Sequence, residues 1–161
     1  MNKLGIILAT YLLFLCIGMV NTQYHGGSMV SLEMREVLDY ISFADKQMEE
    51  IQRMDQEYNV ASQRAKKGDE SDSFVISLAS EHSIKAKEIL GTVEKRQPPA
   101  KLVNYQALLI DLLKTRIDIA ALAGQAVTEN DSEQIRQRDK AIRAYVKKTD
   151  AIIEAKNRLI K

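Results

Sequence analysis

Two histidines, one cysteine and six methionines are the side chains of this chain best suited to hold a metal or a cofactor. Four stretches of helical periodicity follow an apolar N-terminus, and His82 falls among Val75, Leu78, Ala79, Ala86, Ile89, Leu90 and Val93, residues that share one helix face. One reading makes His82 an axial haem ligand, with Met34, Met48 or Met54 opposite, as in non-covalent haem bundles. The reading its surroundings favour is a boundary histidine, hydrogen-bonded near the bundle surface, because polar groups on a buried face are as a rule satisfied there. The three methionines recur at helical spacing and read as core filler rather than a soft-metal site. His25 sits in a short linker.

Other constellations are missing. A di-metal bundle site needs inward Glu residues and Glu-x-x-His pairs, and no Glu lies three before either histidine. There is no Cys-x-x-Cys-His for covalent haem, no paired cysteine for zinc, no glycine-rich phosphate loop and no histidine-based triad for a Ser or Thr. Asp111 and Asp118 share a face of the third helical stretch, near Lys114 and Arg116, and read as a solvated stripe with ion pairs to neighbouring helices. Nothing in this inventory calls for catalysis, a metal or a cofactor. The sequence reads as a non-enzyme.

The elements that position these residues are legible in outline. Val30, Met34, Val37, Leu38, Ile41, Ala44, Met48, Ile51, Tyr58 and Ala65 keep to one face of a first helix, about residues 31–67. Gly68 can take the left-handed conformation that ends it, and Asp69-Glu70-Ser71-Asp72 supplies a turn and a helix start. A second helix, about 71–96, stops before Pro98-Pro99, which in turn can open a third, about 99–128. The third is the most apolar, with Leu102, Tyr105, Leu108, Leu109, Leu112, Leu113, Ile117, Ala120, Ala121, Ala123 and Val127 on a wide arc. Asn130-Asp131-Ser132-Glu133 resembles a capping box for the fourth helix, about 131–160, whose apolar set is Ile135, Ile142, Tyr145, Val146, Ile152, Ile153, Leu159 and Ile160. No stretch alternates as a strand. Short connections make successive helices antiparallel neighbours, so the expected fold is all-α: an up-down-up-down antiparallel four-helix bundle over residues 31–161. The greater length of the first helix suggests that its start projects as a stalk.

Before the bundle come an apolar segment, residues 1–20, and a flexible connector, residues 21–30, marked by Gly26-Gly27. Lys3 followed by the uncharged run Leu4 to Val20 reads as a signal peptide or a membrane anchor. The run is 17 residues, the short edge of a bilayer span and longer than most signal-peptide cores. Its length favours a retained anchor over cleavage after Gly18. Lipidation at Cys16 ranks third, because bulky Leu15 precedes the cysteine. All three fates place the bundle outside the cytoplasm. With Cys16 the sole cysteine, the exported part has no disulfide, and packing alone must hold it.

Charge argues in the same direction. The chain carries 23 Lys and Arg against 22 Asp and Glu, net +1, and Lys3 is the only one of these before Glu33. Basic residues of the last helix, Arg136, Arg138, Lys140, Arg143, Lys147, Lys148, Lys156 and Arg158, are interleaved with apolar ones and read as its solvated face. Without a basic stripe, nucleic acid is excluded as a partner.

The export segment, the cysteine-free bundle, the Pro98-Pro99-Ala-Lys-Leu102 opening and the Asn130-Asp131-Ser132-Glu133 cap together resemble small secreted or lipid-anchored helical-bundle proteins of Gram-positive bacteria and their phages. The resemblance implies a role in the cell envelope and transfers no functional residue. The expected function is a non-enzymatic, extracytoplasmic module, tethered to the membrane through residues 4–20, that binds a protein or other envelope partner through a helix face. The alternatives are an exported bundle that binds a small ligand, haem or metal, and a phage-encoded envelope factor for superinfection exclusion or lysis. The oligomeric state stays open at this level.

Overall fold

Wherever the apolar period was continuous, a helix formed. A computed structural model describes residues 31–129 and 132–159. Among them stand four α-helices and one 3-10 turn, with no strand: α1 Leu32–Lys67, α2 Asp72–Lys95, the turn Ala100–Leu102, α3 Val103–Glu129 and α4 Ser132–Leu159. The apolar segment and the connector, with Cys16 and His25, lie outside the described residues, as does Asn130. None of the described helices is long and apolar enough to cross a membrane.

The helices pack against one another as a four-helix bundle. Cross-helix partners give the directions. Glu50 meets Lys85 and Glu57 meets His82, so α2 runs against α1. Asp45 meets Lys156 and Asp55 meets Tyr145, so α4 does the same from the other side. On the diagonal, Glu33–Lys101 and Asp55–Arg116 run in parallel order, which completes the up-down-up-down arrangement. The core is aliphatic: Ile41, Ile51, Val93, Leu102, Leu109, Leu112 and Leu113 are buried, along with Tyr40, Met54, Tyr105, Tyr145 and Ile152.

The corners use the residues that the turn chemistry demands. Gly68 takes φ 81°, a conformation costly for any residue with a Cβ. Its N–H reaches the Ala65 carbonyl at 3.0 Å and the Asp69 N–H reaches Arg64 at 3.0 Å, a Schellman closure of α1. Three residues on, the Ser71 hydroxyl accepts the Phe74 N–H at 3.2 Å and caps α2. At the other end of α2, Gln106 of α3 donates its side-chain amide to the carbonyls of Val93 and Arg96, at 2.7 and 2.8 Å. The Val93 carbonyl also accepts the Arg96 N–H at 3.3 Å, so Gln106 reinforces the closure of the helix end. Arg96 lies 4.3 Å from the centroid of the Phe43 ring, a cation–π contact that fixes the chain just past α2.

Some expectations shift. Residues 99–128 do not open directly as an α-helix, because the Pro99 carbonyl accepts from Leu102 and makes a 3-10 turn first. Met34 is exposed rather than on the buried face, one turn before Val37, the first buried residue of α1, and beside it Glu33 pairs with Lys101 at 2.9 Å. Ala121, Val146 and Ile153 also face outward, since the apolar arcs of α3 and α4 are wider than their neighbours can cover. The capping box on Asn130 lies outside the described residues; within them Glu133 pairs with Arg136 and Gln137 at 3.0 and 3.1 Å.

Candidate functional site

Charged residues occupy positions that the helical period assigns to the interior. On α1, Asp55 follows Ile51 by four and Met54 by one; on α3, Arg116 follows Leu112 by four. Both therefore point inward, and they meet. The Arg116 Nε donates to one Asp55 carboxylate oxygen at 2.5 Å, and the Tyr145 hydroxyl of α4 donates to the other at 3.2 Å. The Arg116 side chain is 6 % exposed, and a guanidinium that deeply placed needs its counter-charge. Three helices are tied together by one carboxylate.

The fourth helix joins through His82. Its Nε2 lies 3.2 Å from the Glu57 carboxylate of α1, and its ring is buried. The Nδ1 is buried with no hydrogen-bond partner among the described residues. Burial holds the imidazole below the usual histidine range and Arg116 lowers it further, against the Glu57 hydrogen bond and the Glu57 and Asp55 charges, which act to raise it. His82 is accordingly neutral at pH 7. Residues 55, 57, 82, 116 and 145 thus make one polar layer across the bundle.

Two further cross-helix pairs flank it. Lys148 of α4 donates to the Thr115 hydroxyl at 2.7 Å and pairs with Asp111 at 2.8 Å. Lys156 spans to Asp45 of α1 at 2.6 Å. Nearby, burial chiefly, and then the Asp45 charge, push the Tyr105 phenol far above its ordinary range. Asp111 is therefore an ion-pair partner, as its spacing indicated, and Asp118 is exposed on the same helix. Of the basic residues on α4, Arg136, Arg138 and Arg158 also pair, with Glu133, Asp139 and Glu154.

The metal and haem readings gain no geometry. Along α1, Met34 and Met48 are about 21 Å apart at 1.5 Å per residue. Met34 is exposed and Met54 buried, so the three do not converge on one ion. Among the described residues no group of three or more His, Cys, Asp or Glu side chains could hold a metal ion. The His82 Nε2, which would face a haem iron, faces Glu57 instead.

The surface offers a different feature. Between the C-terminal half of α1 and the start of α2 runs a shallow groove of about 460 Å³, floored by Val60, Ala61, Phe74 and Leu78. Val60 is 57 % and Phe74 46 % exposed. Glu57, Arg64 and Glu70 form its charged rim, and Arg64 and Glu70 lie 4.0 Å apart. Glu57 belongs both to this rim and to the polar layer. The groove lies at the end of the bundle remote from the start of α1.

Asp55 and Glu57 were not singled out from the sequence, Arg116 only as a neighbour of Asp111, and Tyr145 only as an apolar residue. The signal was present for two of them: a charge at a buried-face position of α1 and of α3. The fold and site define an all-α four-helix bundle with a paired polar layer. Comparison with known protein families, curated proteins and solved structures finds no match to this chain.

Proposed function

We propose that this protein is a non-enzymatic binding module exported from the cytoplasm and tethered to the membrane through residues 4–20. Its partner is a protein of the cell envelope. The single observation that carries the binding reading is the apolar strip of exposed Val60 and Phe74 with half-buried Leu78, over buried Ala61, left open between α1 and α2. Two large exposed apolar side chains, Val60 and Phe74, face each other across a groove with a charged rim, an arrangement that a partner helix can cover. The rim sets two carboxylates, Glu57 and Glu70, against one guanidinium, Arg64. That balance suits a partner helix that presents apolar side chains at i and i+3 or i+4 with a Lys or Arg beside them. The uncharged run from Leu4 to Val20 supports the tether. The interior supports a non-catalytic role: both oxygens of the half-buried Asp55 carboxylate are engaged by Arg116 and Tyr145.

The test is a photo-crosslinking amino acid placed at Phe74 in the full-length chain in cells, with the exposed position Glu88 as control. A discrete adduct with an envelope protein at Phe74 alone, lost on Val60→Glu, is the expected result. No adduct at Phe74, or the same adduct at Glu88, contradicts the groove as docking site. An adduct of two copies of this chain would replace the envelope partner by self-association.

A further inference from the structure

The hydrogen bond between His82 and Glu57 ties α2 to α1 at the groove, and its chemistry depends on a single proton. Facing a carboxylate at 3.2 Å, the ring nitrogen Nε2 carries the hydrogen. Nδ1 is then the bare nitrogen, enclosed with no partner among the described residues. A second proton would have to sit on Nδ1, creating a buried N–H without an acceptor and a cation on a ring that is 5 % exposed. The groups around it come from three helices. Asp55 and Glu57 of α1 favour the cation, Arg116 of α3 opposes it, and Tyr145 of α4 bonds to Asp55. Asp55 already gives one oxygen to Arg116 and the other to Tyr145.

We propose that the contact between His82 and Glu57 is an acid-sensitive latch: protonation of His82 at Nδ1 releases the seam between α1 and the N-terminal half of α2, while α3 and α4 stay packed. The latch rests on the seam's own geometry and holds whatever occupies the groove. The seam is suited to local opening. Its outer part is the open groove rather than packed core, and Glu57 is half exposed and free to follow the ring into water. The sign follows from the imidazole being held below its ordinary range. Above the unfolded-state value near 6.5 both closed and open forms are neutral, and the closed seam has its full stability. As pH falls below that value the open form takes up the proton first, so closure weakens until the closed form itself titrates.

Two measurements on the full-length protein test this. In the NMR titration of the two histidines, assigned by comparison with His82→Gln, the His82 midpoint lies below 6.5, and Glu57→Gln moves it lower still. In amide hydrogen exchange corrected for intrinsic rates, residues 57–64 and 74–82 lose about tenfold protection per pH unit below about pH 6.5, while 105–113 of α3 do not. His82→Gln, which keeps a donor opposite Glu57 and cannot titrate, abolishes the local loss. A His82 midpoint at or above 6.5, a midpoint unmoved by Glu57→Gln, or an equal loss of protection in α3 would overturn the latch. A His82 midpoint at or above 6.5 overturns the latch even if His82→Gln does not fold, with His25→Gln then supplying the assignment.

Discussion

Asp55 is the residue on which the interior depends, because its carboxylate serves both Arg116 and Tyr145. Removing one partner of a buried pair leaves the other charge uncompensated, which costs more than the pair's net contribution. Asp55→Ala is expected to lower stability by about 3 kcal/mol in urea denaturation. Adding Arg116→Leu should recover more than half of that, since the buried charge is then gone as well. The Arg158–Glu154 pair on the α4 surface provides the contrast: Glu154→Ala should change stability by less than about 0.5 kcal/mol. The same scale shows where sequence reading ends. Asp55 and Arg116 break the apolar period at inward positions, which is visible in one dimension. Their mutual pairing is not, because 61 residues separate them and nothing local specifies that α1 and α3 lie diagonally at the same level. His82 was legible as a hydrogen-bonded histidine on an apolar face; Glu57, its partner, has no local signal at all.

Among the elements, the corners and the third helix carry the most specific expectations. Gly68 holds φ 81° with nothing within 4 Å of where a Cβ would stand, so the cost of Gly68→Ala is conformational rather than steric. About 1 kcal/mol is expected, read from the shift in thermal midpoint. Ser71→Ala loses the cap on the Phe74 N–H and should cost a similar amount, about 1 kcal/mol. Leu112 is fully buried in α3, and Leu112→Ala should cost about 2–5 kcal/mol; a change under about 0.5 kcal/mol would place the wrong face of α3 inward. Element boundaries were legible because they rest on local chemistry, such as Gly68 in a left-handed turn and the prolines at 98 and 99. The buried faces were less so at their edges. Val146 and Ile153 carry apolar side chains at helical spacing and still face solvent, since burial depends on how much of α4 its neighbours reach.

At the scale of the molecule, a balanced charge, an aliphatic core and an apolar N-terminal run support the proposed module at the cell surface. The groove at the α1–α2 end leaves Val60 and Phe74 exposed, the strip proposed to meet its partner. The most direct test of an exported, tethered module is protease accessibility. Full-length protein is expressed in a bacterial host, membranes are separated from medium, and intact mass is measured. Spheroplasts are then treated with an external protease at a level that digests the protein after detergent lysis. An uncleaved chain in the membrane fraction whose residues 31–161 are digested without lysis is the expected result. A chain protected until the cells are lysed would contradict export, and with it the proposed role in the envelope.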